Sequence, residues 1–229
     1  MQRVFTHIRQ VNLWQSAESA SGRGSELSVT AALRANLTGL IEKLSIQSIL
    51  DAPCGDFNWM QHVSLSGVSY TGMDVVPEMV ERNQSLHGTE TIRFMAGDVT
   101  RDALPKVDLI LCRDCLVHLP LRDGCLALRN FKQSGSQYLL TTTYLSVTKN
   151  QDAPVGSWKP LNLYLPPFNL PPPLIMFSDP SDDTGANPDK SLGLWDLQAL
   201  PMPIVPRWHS PQVILANFVR RYLDPSWQL

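Results

Sequence analysis

The chain has 229 residues, 43% of them hydrophobic and 17% charged, with a formal net charge of −2. That is enough apolar material for one α/β domain with its own core and too much for a disordered chain. No Lys/Arg cluster stands ready to neutralise a phosphate backbone, no apolar run is long enough to span a membrane, and Met1–Phe5 opens no apolar signal-peptide core. Nucleic acid and membrane are therefore excluded as partners, and a soluble cytoplasmic protein is expected, monomeric or homodimeric.

Residues 1–24 carry few periodic signals but hold Trp14 and a hydroxyl-rich stretch, Ser19 to Ser25. From Val29 to Leu44, apolar residues at three- and four-residue spacing (Leu33, Leu37, Leu40, Ile41, Leu44) predict an amphipathic helix, with Ser25 or Ser28 as its cap. Ile46–Leu50 reads as the first strand. It ends in Asp51 and turns through Pro53 and Gly55, where a missing Cβ lets the main chain approach a ligand. A helix is expected from Phe57 to Val63, a strand at Val68–Met73 ending in Asp74, and a helix from Pro77 to Asn83. Strands follow at Thr91–Met95, before Gly97-Asp98-Val99, and at Val107–Cys112, a continuous apolar run of the kind buried on both faces. Leu121–Phe131 reads as a helix and Gln137–Thr143 as a fifth strand.

Strands alternating with helices at this spacing predict an α/β, Rossmann-like, doubly wound sheet in three layers, mostly parallel. Pro154, Pro160, Pro166, Pro167 and Pro171–Pro173 exclude a regular helix from 150–173, yet Trp158, Leu161, Tyr164 and Phe168 argue that this insertion packs. Leu174–Phe177 and Ser191–Leu197 suit a final antiparallel pair joined by a polar turn, Ser178–Lys190. Ser210-Pro211 opens a last helix with an apolar face of Val213, Ile214, Leu215, Phe218, Val219, Tyr222 and Leu223, which must pack on this domain or on a second subunit. One domain is expected: residues 1–45 as an N-terminal lid and helix, 46–198 as the core with the insertion, and 199–229 as a connector and helix.

Cys112 and Cys115 form a CxxC, but no second pair or His set at metal-ligand spacing accompanies it. Cys54, Cys112, Cys115 and Cys125 are read as ordinary buried thiols, with no metal.

Four motifs carry a resemblance: Ser21-Gly22-Arg23-Gly24-Ser25, Asp51-x-Pro53-Cys54-Gly55-Asp56-Phe57-x-Trp59, Cys112-Arg113-Asp114-Cys115-Leu116-Val117-His118-Leu119 and Leu165-Pro166-Pro167-Phe168. Together with acids ending the first two strands and Gly-Asp after the third, they resemble class I S-adenosylmethionine-dependent methyltransferases, in particular a group of bacterial methyltransferase-domain proteins. The resemblance covers about residues 19–198. It implies S-adenosylmethionine as cofactor, with Asp51 facing its ammonium group and the Pro53–Gly55 turn beside its amino-acid moiety. Asp74 would accept from the ribose hydroxyls, Val75 would flank adenine, and Asp98 and Val99 would meet the adenine edge. Asp51 and Asp74 lie 23 residues apart, close to the separation of about 20 between glycine turn and ribose acid in dinucleotide sites. Arg23 and Ser25 are candidates for the cofactor carboxylate.

The usual glycine pattern is broken, because Pro53 and Phe57 stand where most of the family has glycine. A pyrophosphate would suffer from that; a cofactor without phosphate does not. Chemistry is expected past the fourth strand, at Arg113, Asp114 and His118. The methyl donor is already activated, so the protein mainly aligns the nucleophile and takes its proton. His118 has the better pKa for a base, Asp114 is base or substrate ligand, and Arg113 is a substrate ligand or an ion-pair partner. Trp14, Trp158, Asn162 and Trp195 are candidates for the acceptor pocket. The expected reaction is O-methylation of a small molecule, a sugar or other hydroxylated metabolite. Small-molecule N-methylation, protein side-chain methylation and a non-catalytic cofactor-binding subunit remain as alternatives.

Overall fold

The structure is a computed structural model and describes residues 1–180 and 188–222. The strands are β1 (Ser48–Asp51), β2 (Ser69–Asp74), β3 (Ile92–Ala96), β4 (Leu109–Cys112), β5 (Tyr138–Tyr144), β6 (Ile175–Ser178) and β7 (Lys190–Asp196). They form one sheet in the order β3-β2-β1-β4-β5-β7-β6. β1 to β5 are mutually parallel, and β7 runs antiparallel to both β5 and β6. The chain winds from β1 outward to β3, then returns to place β4 on the other side of β1. That reversal opens a crevice at the carboxyl ends of β1 and β4, where open sheets bind ligands.

Alternation along the central strands builds two apolar layers. Ile49, Leu109, Leu111, Leu140, Leu192 and Leu194 face α2 (Ala31–Lys43), which contributes Leu33, Leu37, Leu40 and Ile41. Leu50, Ile110, Cys112, Leu139 and Trp195 face the opposite layer, where α4 (Leu121–Gln133) and the insertion supply Leu128, Phe131, Leu163 and Phe168. α3 (Pro77–His87) carries Pro in its first turn and packs on β2 and β3.

Three expectations are corrected. Residues 2–10 form a helix, α1 (Gln2–Gln10), whose apolar Val4, Phe5 and Ile8 are spaced for one face. Only a single 3-10 turn at Met60–His62 replaces the helix expected from Phe57, because Phe57 sits at φ +60, outside the right-handed helical region. α2 begins after Thr30, not at Ser25 or Ser28, and the Thr30 hydroxyl donates back to the Glu26 carbonyl at 2.9 Å.

The insertion has no helix. Asn150 and Asn162 tie it: Asn150 Nδ2 donates to the Asn162 carbonyl, and the Asn162 N–H donates to Asn150 Oδ1, both at 2.9 Å. α5 (Pro211–Tyr222) packs through Val213, with Gln212 Nε2 donating to the Asp152 carbonyl of the insertion at 3.0 Å; Ile214, Leu215 and Phe218 are exposed. Part of the turn expected at Ser178–Lys190, and Leu223, lie outside the described residues. Among the described residues no helix is long and apolar enough to cross a membrane.

Candidate active site

A cavity of about 310 Å³ runs along the carboxyl edge of the sheet, from β1 and β2 across to β4, β5 and β7. That is within the range of small-molecule sites, roughly 300–1,000 Å³. Its roof is the N-terminal segment, including Phe5, Trp14 and Ser21–Ser25.

On the β1–β3 side, Asp51, Pro53, Gly55, Asp74, Val75 and Val99 all line the cavity, with Val76 and Met79 as further apolar wall. Asp51 ends β1 and Asp74 ends β2, each buried. Asp51 Oδ2 accepts from the Tyr70 hydroxyl at 2.7 Å. Burial pushes its carboxyl up to about 7 against the pull of that hydrogen bond, and neighbouring Asp74 adds to the rise. Burial likewise raises Asp74 to about 6, opposed by the N–H groups of Val76 and Gly55, which donate at 3.0 and 3.1 Å.

The close approach that requires glycine at residue 55 comes from the chain itself. Gly55 has φ +55, and a Cβ there would lie 2.1 Å from Ser21 Oγ. Asp56 holds this seam: its carboxylate accepts from the hydroxyls of Ser19 and Ser21 and from the Ala20 N–H, at 2.7–3.0 Å. The Asp56 N–H donates in turn to Ser21 Oγ at 3.0 Å. This docking brings Arg23 and Ser25 to the cavity wall. Phe57, held at positive φ, packs against Tyr70 and Phe94 with ring centroids 5.1 Å away, a cluster that stabilises a backbone conformation glycine would adopt freely.

On the β4–β7 side, Arg113 and Asp114 follow β4. Arg113 Nε and Nη2 donate to the two oxygens of Asp179 at 2.9 and 3.1 Å, and its Nη1 lies 3.4 Å from Asp114 Oδ2. Lys190, at the start of β7, donates to Asp114 Oδ2 at 2.6 Å and lies 3.1 Å from Asp179 Oδ2. Burial alone would raise Asp114, but Lys190 and Arg113 outweigh it and bring its carboxyl down to about 2. Burial disfavours the Arg113 charge, and Asp179 and Asp114 more than restore it. Asp114 has φ +50, and its N–H donates to Thr142 Oγ1 at 2.9 Å.

His118 ends a 3-10 turn, Leu116–His118, so it and Asp114 do not share a helical face. Trp14 stacks on its ring at 5.0 Å, and Phe5 meets it edge-on at 6.5 Å. Burial lowers its pKa, against the attraction of Asp114, so the imidazole is neutral near pH 7. Its Nδ1 is buried without a hydrogen-bond partner. Tyr144 and Trp158 complete this end, ring centroids 6.0 Å apart.

Two acceptor candidates fall elsewhere, and one cofactor candidate stands back. Trp195 is core: it faces the α4 layer and donates from Nε1 to the Pro171 carbonyl at 2.7 Å. Asn162 is a loop brace, donating from Nδ2 to the Val147 carbonyl at 3.0 Å. The Asp98 carboxylate is turned onto its own loop, accepting from the Thr100 hydroxyl at 2.7 Å, while Gly97 and Val99 line the cavity. Lys190, Asp179, Thr142 and Asp56 escaped the sequence reading. Lys190 had a visible signal, a charge opening an otherwise apolar strand. All four cysteines are free and buried, and among the described residues no group of His, Cys, Asp and Glu is placed to hold a metal ion.

A family model described as a methyltransferase domain matches residues 49–134, the span from β1 through α4. Among solved structures, the chain is similar to the 1,6-didemethyltoxoflavin-N1-methyltransferase of Burkholderia thailandensis, crystallised with its substrate and S-adenosylhomocysteine: 16% identity over 82% of this chain and 86% of that one, TM-score 0.55. It is also similar to the methyltransferase domain of bacterial CtHen1 (10% identity, 73% of this chain and 99% of that one, TM-score 0.54). Human N-acetylserotonin methyltransferase, in complex with S-adenosylmethionine, matches at 16% identity over 73% of this chain and 53% of that one, TM-score 0.50. At these identities the likeness is one of fold. No curated protein matches the sequence.

Proposed function

We propose that this chain is a class I S-adenosylmethionine-dependent methyltransferase and that it methylates an oxygen of a small hydroxylated acceptor, a sugar or a comparable metabolite. The observation that carries the reading is the single cavity joining two buried, raised carboxyls at the ends of β1 and β2 to a neutral His118 beyond β4.

The residues present fit the cofactor. Arg113 pulls Asp51 down only weakly against its burial, and among the described residues no cation offsets the burial of Asp74 in the way Lys190 offsets that of Asp114. An ammonium group at Asp51 and ribose hydroxyls at Asp74 would supply what the fold leaves out. Val75, Val76 and Met79 offer an apolar wall for a flat base, and Arg23 and Ser25 approach from the roof. When bound, S-adenosylmethionine supplies a methyl group already activated on a sulfonium, which an acceptor oxygen displaces in line.

His118 is the base in this proposal. Neutral imidazole is the form that takes a proton, and its unpartnered Nδ1 is the atom an acceptor hydroxyl would satisfy. Asp114 is a poor base, because a carboxylate whose pKa lies near 2 has too little affinity for a proton to draw one from a hydroxyl. Arg113 binds Asp179 and Asp114, and in this reading it braces the site. Trp14 and Phe5 fix the imidazole plane and keep water from it. The cytoplasmic location and a monomeric or homodimeric state stay part of the proposal and rest on the sequence.

Calorimetric titration with S-adenosylmethionine and S-adenosylhomocysteine tests the cofactor claim. Both are expected to bind, and absence of binding by either would sink it. Once an acceptor turns over, His118→Ala is expected to lower kcat and leave the affinity for S-adenosylhomocysteine unchanged; unchanged kcat would return His118 to a structural role.

A further inference from the structure

At the β4–β7 end of the cavity Arg113, Asp114 and Lys190 line the wall and Asp179 lies behind them, four charges that cancel. The other charged residues of the lining, Arg9, Arg23, Asp51, Asp56 and Asp74, belong to the N-terminal segment and to the β1–β2 side. Within the quartet, Asp179 and Lys190 keep 1% of their side chains exposed, and Asp114 keeps 27%. Asp114 is therefore the member that can meet a ligand. Its Oδ2 is taken by Lys190 and Arg113, whereas its Oδ1 has one long contact, the Thr142 hydroxyl at 3.3 Å. Around it stand aromatic faces, Trp14, Tyr144 and Trp158, at the same end of the cavity.

We propose that Asp114 is the residue that reads the acceptor, and that the acceptor is an uncharged ring carrying neighbouring hydroxyls. The inference rests on the methyl-transfer reading above. One hydroxyl donates to Asp114 Oδ1 while its neighbour is presented to His118, and the ring lies against Trp158 or Trp14. The charge balance decides the class. An ammonium entering beside a lone carboxylate would be drawn in, but here Lys190 and Arg113 already hold that carboxylate, so a cation gains little and still loses its water. An anion meets Asp114 with its open oxygen forward and is repelled. A neutral hydroxyl gives the carboxylate a charge-assisted hydrogen bond and loses least on entry.

The test uses two ring frames, each with neutral, amine and carboxylate members: catechol, dopamine and 3,4-dihydroxybenzoate; methyl glucoside, glucosamine and glucuronate. Binding is measured on the full-length protein with S-adenosylhomocysteine present, and labelled-methyl transfer with S-adenosylmethionine. In at least one frame the neutral member is expected to bind wild type at least about tenfold more tightly than both charged members. Asp114→Asn takes the quartet to +1. It is expected to weaken the neutral member by about tenfold or more and to move selection towards the carboxylate. Lys190→Met takes the quartet to −1 and is expected to move selection towards the amine, while Lys190→Arg keeps the neutral preference. A purely structural quartet would not reverse selection in opposite senses.

Adenosylhomocysteine affinity reports whether each variant is folded. If Lys190→Met does not bind it, the wild-type order and Asp114→Asn decide. A wild-type preference for a charged member, selection unmoved in the folded variants, or failure of every member to bind while S-adenosylhomocysteine binds would each overturn the proposal. Failure of S-adenosylhomocysteine to bind wild type would instead bring down the methyltransferase reading itself.

Discussion

The two ends of the cavity hold the same residue type in opposite states. Asp51 and Asp74 are buried, Arg113 offsets the burial of Asp51 only weakly and no cation among the described residues offsets that of Asp74, and their carboxyls rise to about 7 and about 6. Asp114 is half-buried, but Lys190 and Arg113 bring it down to about 2. In the proposed reading Asp51 and Asp74 are completed by a bound cofactor, whereas Asp114 is matched by the fold itself. Burial pushes all three carboxyls up, and the strength of the neighbouring cations decides which of them ends below its usual value. In the proposed reading the contrast divides the ends: an unbalanced half for a charged, hydroxyl-bearing cofactor, and a balanced half for a neutral acceptor.

The largest effect that sharpens this contrast is expected in turnover, with His118→Ala lowering kcat by about a hundredfold or more, as measured by labelled-methyl transfer. Next comes Asp74→Ala, expected to weaken S-adenosylmethionine by about 2 kcal/mol, roughly thirtyfold, through loss of hydrogen bonds to a charged acceptor. A calorimetric affinity within twofold of wild type would break the assignment of that end.

The third effect is one of pH. Asp51 must be ionised to hold an ammonium group, so cofactor affinity is expected to rise by up to about tenfold between about pH 6 and 8, and to lose most of that rise in Asp51→Asn. Stability runs the other way. The folded pKa values of Asp51 and Asp74 lie above the unfolded value of 3.8, so both stabilise the fold fully below that value and lose the contribution as pH rises through about 7 and 6. Asp114 has the opposite sign: its contribution is present above 3.8 and lost as pH falls through about 2. The melting temperature of the ligand-free protein is therefore expected to fall between about pH 5 and 8, and the fall to shrink in Asp51→Asn. The smallest effect is expected for Thr142→Val, about 1 kcal/mol of stability from the hydroxyl that accepts from the Asp114 N–H.

The sheet was legible because its signals are local. Apolar runs ended in Asp51, Asp74 and Cys112, and proline or glycine followed the first, so the crevice and the acids facing it could be placed from spacing alone. The quartet was not legible because its partners are distant in sequence: Arg113 meets Asp179 across 66 residues and Asp114 meets Lys190 across 76. Nothing in the composition near Asp114 says that its charge is already matched. Trp195 and Trp14 illustrate a second gap. Both are aromatic, but strand register turns Trp195 beside Leu139 into the core, whereas a loop carries Trp14 over His118. Gly55 was read as leaving room for a ligand, and the room is taken by Ser21. Phe57 looked like the start of a helix, and its positive φ forbids one.

The central claim is that the unbalanced half of the cavity is the cofactor's. Calorimetric titration of the full-length protein with S-adenosylmethionine at about pH 8, repeated on Asp74→Ala, tests it most directly. Saturable one-to-one binding to wild type, weakened about thirtyfold in the variant, is the expected result. No binding to wild type, or equal binding to both proteins, would contradict it.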